Sequence, residues 1–215
     1  MSIHAGPLTA DRLREAESDT MRHIGQVVLM DRAADAVAAE TTAALVSRGV
    51  ALDGARVALL VGSGNNGGDA LLAGARLCRA GASVVALLVG DDANVRGEAE
   101  LVDAGGRVID AGPQTREAMA ALAHVDAVID GIVGLGARAG LRPPSDELVR
   151  AIPRGALVVA VDLPSGLEAD SSAIESPHVH ADVTVTFTAP KRCLLQLPAA
   201  ASAGRVVIVD VGVVL

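Results

Sequence analysis

Four short segments hold most of the residues that could do chemistry. The first, residues 59–70, reads LLVGSGNNGGDA: Gly62, Gly64 and Gly67 form a G-x-G-x-x-G, while Asn65, Asn66 and Asp69 crowd the same turn. Glycines after a strand let a ligand approach the backbone, with the N-terminus of the next helix facing it. A plain dinucleotide cradle fits poorly, because Asp69 near that helix end suits the helix dipole but competes with a phosphate. The second and third segments are residues 130–140 (DGIVGLGARAG) and 162–166 (DLPSG). Each opens with an acid directly after an aliphatic run, where a carboxylate can bind a sugar hydroxyl, bind a cation or act as a base. Asn66, Asp130 and Ser165 together offer hard oxygen ligands, suited to Na⁺, K⁺ or Mg²⁺ rather than zinc. No G-x-S-x-G surrounds Ser165, which argues against a hydrolase nucleophile. The fourth feature is Lys191, just past the strand-like VTVTF, and it is the only lysine among 18 basic residues. An amine can give up a proton where a guanidinium cannot.

The elements that must position these residues follow from periodicity. Strands are expected over residues 56–61, 83–89, 107–109, 125–129, 156–161, 183–187 and 205–209. Helices are expected over 11–24, 28–48, 69–79, 95–104, 115–123 and 145–152, with Ser145 as an N-cap. Strands alternating with helices of about ten residues mean βαβ units and a mostly parallel sheet. No clear helix separates the last two strands, which leaves the far edge open to an antiparallel pairing. In such a sheet ligands bind beyond the carboxyl ends of the strands, and the Asn65, Asp130 and Asp162 loops all lie on that side.

Composition narrows the classes further. The 215 residues fit one domain spanning 1–215. With one Phe, no Tyr and no Trp, the core must be aliphatic, as buried parallel strands require. The same scarcity argues against single-stranded nucleic acid, usually gripped by aromatic stacking. A net charge of −8 leaves no basic footprint for a phosphate backbone. Cys78 and Cys193 are read as reduced thiols, and the five histidines as surface residues. No signal-peptide pattern and no membrane-length apolar run is present, so a cytoplasmic protein without a membrane partner is expected.

The segments GSGNNGGDA, VIDGIVGLGARAGLRPP, VAVDLPSGLEAD and VTVTFTAPK, in that order, resemble the NAD(P)HX epimerase family, also called the YjeF N-terminal domain. The opening LREAESDTM and VVLMDRAADAVA resemble its N-terminal helices, and the likeness runs over residues 13–213. It implies a Rossmann-like three-layer αβα sandwich with the N-terminal helices packed on the sheet, and in many members a homodimer. It implies interconversion of the R and S hydrates of NADH and NADPH, with K⁺ held at Asn66, Asp130 and Ser165. Asn65, Asn66, Gly67, Gly68, Asp69, Gly134, Leu135, Gly136, Ala137, Arg138, Ala139, Gly140 and Asp162 would line the substrate NADHX or NADPHX. Asp162 would be the base and Lys191 the proton donor or relay. An NAD(P)HX dehydratase, fused or separate, would be the functional partner. Ala70 and the stretch RCLLQLPAAASAG stand where the family often has glycine. Two rival readings are a non-catalytic nucleotide-binding or scaffold module of the same fold, and a dehydrogenase using Gly62, Gly64, Gly67 and Asp91.

Overall fold

Seven aliphatic runs build one sheet in the computed structural model, which describes residues 6–136, 139–174 and 177–215. The strands are β1 (Arg56–Val61), β2 (Ser83–Leu88), β3 (Arg107–Asp110), β4 (Ala127–Gly131), β5 (Leu157–Val161), β6 (Val183–Phe187) and β7 (Arg205–Val209). They lie in the order β3-β2-β1-β4-β5-β6-β7, and every neighbouring pair is parallel. Side chains alternate between the two faces. Val57, Leu59 and Val61 of β1 join the apolar cluster under α2 (Gln26–Ser47), α3 (Asn65–Arg79) and α4 (Val95–Asp103). Ala58 and Leu60 join the opposite cluster, under α5 (Thr115–Leu122) and α6 (Ser145–Ala151). The result is an α/β sandwich of three layers. No described helix is long and apolar enough to cross a membrane.

The strand order reverses between β1 and β4, so a crevice opens beyond their carboxyl ends. The remaining N-terminal helix, α1 (Ala10–Ile24), crosses above that edge. Leu8 N–H donates to Pro190 O, Ala10 N–H to the Asp170 carboxylate, and an Arg14 guanidinium N–H to Leu135 O. Helix α1 is thereby tied to the loops after β4, β5 and β6, and it forms one wall of the crevice.

One open point is resolved and three local expectations are corrected. The far edge is parallel: the chain returns from β6 to β7 through α7 (Arg192–Leu195) and a 3₁₀ turn (Ala199–Ser202), each too short to show a helical period. Helix α3 starts at Asn65 rather than Asp69, so Asn65 and Asn66 occupy its first turn, with Gly64 as N-cap. Pro144, not Ser145, is the N-cap of α6, and no side chain caps that end. His178 is buried, not at the surface: its Nε2 lies 3.0 Å from Ser202 Oγ and its ring packs 4.5 Å from that of His180. Val179 N–H next to it donates to Ser165 O, so this histidine backs the DLPSG loop.

Candidate active site

The glycines of the first turn have steric causes. A Cβ on Gly62 would stand 1.8 Å from Ile132 O, and one on Gly67 2.0 Å from Gly62 O. Gly62 therefore lets the turn nest against the β4 loop, and Gly67 lets the turn close on itself. Gly64, by contrast, faces open space, and no side chain caps α3. The first-turn N–H groups of α3 are left facing the crevice, a ready site for an anion. Ala70, where the resembling family often has glycine, packs its methyl 2.6 Å from where a Cβ of Gly131 would stand, so Gly131 makes room for it. A pair of variants separates these cases. Gly62→Ala should cost about 3 kcal/mol by overpacking, a Tm loss of roughly 6–12 °C in a thermal melt. Gly64→Ala should melt with the wild type.

The crevice has a volume of about 820 Å³, within the size range of small-molecule sites. Asn65, Asn66, Asp69, Gly134, Leu135, Gly136, Ala139, Gly140 and Asp162 all line it. Gly67 and Gly68 are buried beneath the turn, and Ala137 and Arg138 lie outside the described residues. Asp91, the acid of the dehydrogenase reading, is exposed and absent from the lining.

Asp162 follows β5 with φ +70°, a left-handed backbone that is uncommon outside glycine and marks a site held by its surroundings. Its Oδ1 accepts hydrogen bonds from Lys191 Nζ and from Thr186 Oγ1 at 3.2 Å. Lys191 is fully buried, and its ammonium also donates to Thr186 Oγ1 at 2.8 Å and to Phe187 O at 3.3 Å. All three of its protons are thus engaged. Lys191 does not line the crevice itself but stands behind Asp162, which does.

Asp130 on β4 is fully buried, and among the described residues no cationic side chain pairs with it. Its Oδ2 accepts from Ser165 N–H at 2.8 Å and its Oδ1 from Ile132 N–H at 3.3 Å. Burial still pushes the Asp130 carboxyl up to about 6, against the pull of those bonds. Ser165 Oγ contacts Val133 N at 3.1 Å and Val133 O at 3.3 Å. The Asn66 amide reaches Val161 O at 2.9 Å and Val133 O at 3.4 Å. Carboxylate, hydroxyl, amide and two carbonyls thus adjoin one another around a buried charge that lacks a protein counter-ion. An uncompensated buried carboxylate is costly, and an oxygen-rich surround of this kind fits a hard cation.

Two charged groups escaped the sequence reading. Arg14 and Glu17, one turn apart on α1, both line the crevice. Their only signal in the sequence was helical spacing on an N-terminal segment. Asp69 is 5% exposed, and its Oδ1 has no hydrogen-bond partner among the described residues. Burial first, then the charges of Asp162 and Glu17, hold the Asp69 carboxyl well above the usual range. Cys193 is buried and its thiol pushed up to about 12, unsuited to nucleophilic work.

Comparison with known proteins places this arrangement. Residues 26–193 match the family model described as the YjeF-related protein N-terminus. The chain is 42% identical over 175 residues to the NAD(P)H-hydrate epimerase of Clavibacter michiganensis, covering 77% of this chain and 76% of that protein. It is 39% identical over 206 residues to the bifunctional NAD(P)H-hydrate repair enzyme Nnr of Mycobacterium tuberculosis. That match covers 95% of this chain but 41% of the mycobacterial protein, so the chain spans about two fifths of that relative's length. The crystal structure of the yeast protein ynu0 superposes with a TM-score of 0.78 over 95% of this chain and 88% of that one. At 20% identity, it establishes likeness of fold.

Proposed function

The chain belongs to the YjeF-related protein N-terminus family, and on that premise we propose that it interconverts the R and S hydrates of NADH and NADPH. The observation that carries the proposal is Asp162, a buried carboxylate on a left-handed residue, presented to the crevice that the open N-terminus of α3 also lines. The pyrophosphate of the nucleotide would rest on the first turn of α3, near Asn65 and Asn66. The hydrated ring would then lie toward Asp162.

The chemistry of the substrate sets what the site must do. Its C6 bears a hydroxyl beside ring nitrogen N1. The C6–O bond breaks as the N1 lone pair forms a C=N double bond, and a protonated hydroxyl leaves as water. A water on the other face then adds to C6 and loses a proton, which inverts the centre. A carboxylate beside the ring stabilises the iminium and takes the proton of the incoming water. Asp162 fits both duties. Lys191 reaches the crevice only through Asp162 and Thr186, which supports a relay and counter-ion role rather than direct donation to substrate.

Potassium belongs to the same proposal. Asn66, Asp130 and Ser165 would hold it, and it would supply the positive charge that Asp130 lacks. The folded-state pKa of Asp130 lies above the ordinary value. Its contribution therefore favours the folded chain at low pH and is lost as pH rises through about 6. A cation that neutralises the carboxylate reverses that loss. At saturation with KCl, matched to NaCl at equal ionic strength, Tm should rise by roughly 5–10 °C. The rise should be larger above pH 6 than below it and absent in Asp130→Asn. No potassium-specific shift at any pH would remove the cation from the proposal.

Partnership with an NAD(P)HX dehydratase, fused or separate, is part of this reading. The direct test incubates the protein with one purified hydrate epimer, made from NADH by heat or acid, and separates the products by chromatography. Appearance of the other epimer above the spontaneous rate is the expected result. A folded protein that binds the hydrate without interconverting it would support the scaffold reading instead.

A further inference from the structure

Inversion at C6 needs a proton-transfer group on each face of the ring, and Asp162 serves one. Helix α1 supplies a second carboxyl to the crevice, near enough to Asp162 for the two charges to act on each other. Glu17 is half-buried, lines the crevice, and makes no hydrogen bond among the described residues. It also lines an adjoining outer recess with Arg14, Ser18, Arg22 and Gln26. Among the described residues it is therefore the carboxyl that lines both the crevice and the open outer recess. Asp69 lines only the inner crevice and lies deeper.

The charges around Glu17 can be named element by element. Arg14 and Arg22 stand on α1 itself, Asp69 comes from α3, and Arg142 lines the crevice from the segment between β4 and α6. Asp162 comes from the end of β5, and Lys191 from the start of α7. Helix α2 and the C-terminal segment offer the cleft only uncharged side chains, Leu29, Met30, Ala33, Val211 and Val213. Asp162 and Glu17 thus share the buried Lys191 ammonium, while Arg76 is the cation that acts on Asp69. Burial first, then the Asp162 charge, pushes the Glu17 carboxyl up to about 7, while Lys191 and Arg14 pull it down. A group poised there exchanges its proton near neutrality, as acid–base catalysis favours.

Resting on the epimerase reading above, we propose that Glu17 is the second proton-transfer residue, acting on the face of the substrate opposite Asp162. In one direction protonated Glu17 gives its proton to the C6 hydroxyl, which departs as water while N1 forms the iminium. Water adds to the opposite face of C6, and its proton passes to Asp162. The turnover leaves Glu17 as carboxylate and Asp162 as acid. Solvent in the outer recess restores the starting form, and the reverse reaction exchanges the two roles. The active enzyme carries one proton between the two carboxyls, so the rate falls as pH rises past the Glu17 midpoint.

The test uses the full chain and the Glu17→Gln variant, in which size and hydrogen-bonding reach are kept. Turnover should fall by about 30- to 1,000-fold in both directions, with KM held within about threefold. The limb of the pH–rate profile with its midpoint near 7 should vanish. Glu17→Asp should keep that limb at reduced rate. Unchanged turnover, or a loss confined to KM, would overturn the proposal. A second readout is independent of activity: carbon NMR titration of the Glu17 carboxyl in the wild type, expected near 7 and falling in Asp162→Asn. A midpoint at the ordinary glutamate value sinks the proposal even if the chain proves unable to epimerise, an outcome that would count against the parent reading alone.

Discussion

Asp162→Asn should lower turnover at least about 100-fold, and up to about 10,000-fold, while leaving hydrate binding close to wild type. The substitution keeps the backbone and the side-chain shape, although it leaves the Lys191 ammonium without its carboxylate and so should lower Tm as well. Asn is one of the few residues at ease with positive φ, so the backbone at +70° is kept. Its amide oxygen can still accept from Thr186 Oγ1 and Lys191 Nζ, as the carboxylate Oδ1 does now. What it loses is the negative charge beside the iminium and the capacity to take a proton. Epimer interconversion followed by chromatography measures turnover, and equilibrium binding of the hydrate measures the rest. A variant that epimerises at the wild-type rate would remove Asp162 from the chemistry and, with it, the main support for the proposed reaction.

Lys191→Met should fail in a different way. The side chain is fully buried, and among the described residues its ammonium is the only cationic partner of Asp162. Removing one member of a buried pair leaves the other charge uncompensated, at a cost of about 3–5 kcal/mol. For a chain of this size that is a Tm loss of roughly 6–20 °C. Turnover should fall as well, by less than in Asp162→Asn. The double variant Asp162→Asn with Lys191→Met carries no orphan charge, so it should regain more than half of the lost Tm. Such non-additivity is what a shared interaction produces. If Lys191→Met melts with the wild type, the pair does not act as a unit.

The parts of this protein that were legible in the sequence are those with a local cause. Strands β1, β6 and β7 matched their expected ends because β1 and β7 are aliphatic runs and β6 a β-branched Val-Thr alternation, each set between polar punctuation. Asn66, Asp130, Asp162, Ser165 and Lys191 could be singled out because each follows a strand or a glycine turn, and the fold brings them to one edge of the sheet. Other features had no local cause. The start of α3 was misplaced because two glycines and two asparagines read as a loop, yet the turn nests against Ile132 and winds from Asn65. The direction of β7 depended on a crossover made of two four-residue turns, below the length at which a period is readable. His178 was sorted with the surface histidines, although a serine 24 residues later closes over it. Glu17 lies on a helix more than a hundred residues from Asp162, and only the ties from Leu8, Ala10 and Arg14 to distant loops bring it to the crevice.

The make-up of the crevice wall has a consequence for the shape of what it holds. Met21, Leu29, Met30, Ile132, Val133, Val211 and Val213 stand where many nucleotide sites present a ring, and Phe187 is the single phenyl in the chain. Stacking on an aromatic slab rewards a flat heterocycle. Branched and flexible aliphatic walls make no demand for planarity, and a methionine adapts to either pucker. A surface of this kind can embrace a buckled, half-saturated ring, its flattened intermediate and the mirror-related pucker with nearly equal contact. Tolerance of that sort is what a catalyst requires when it must release either of two handed forms.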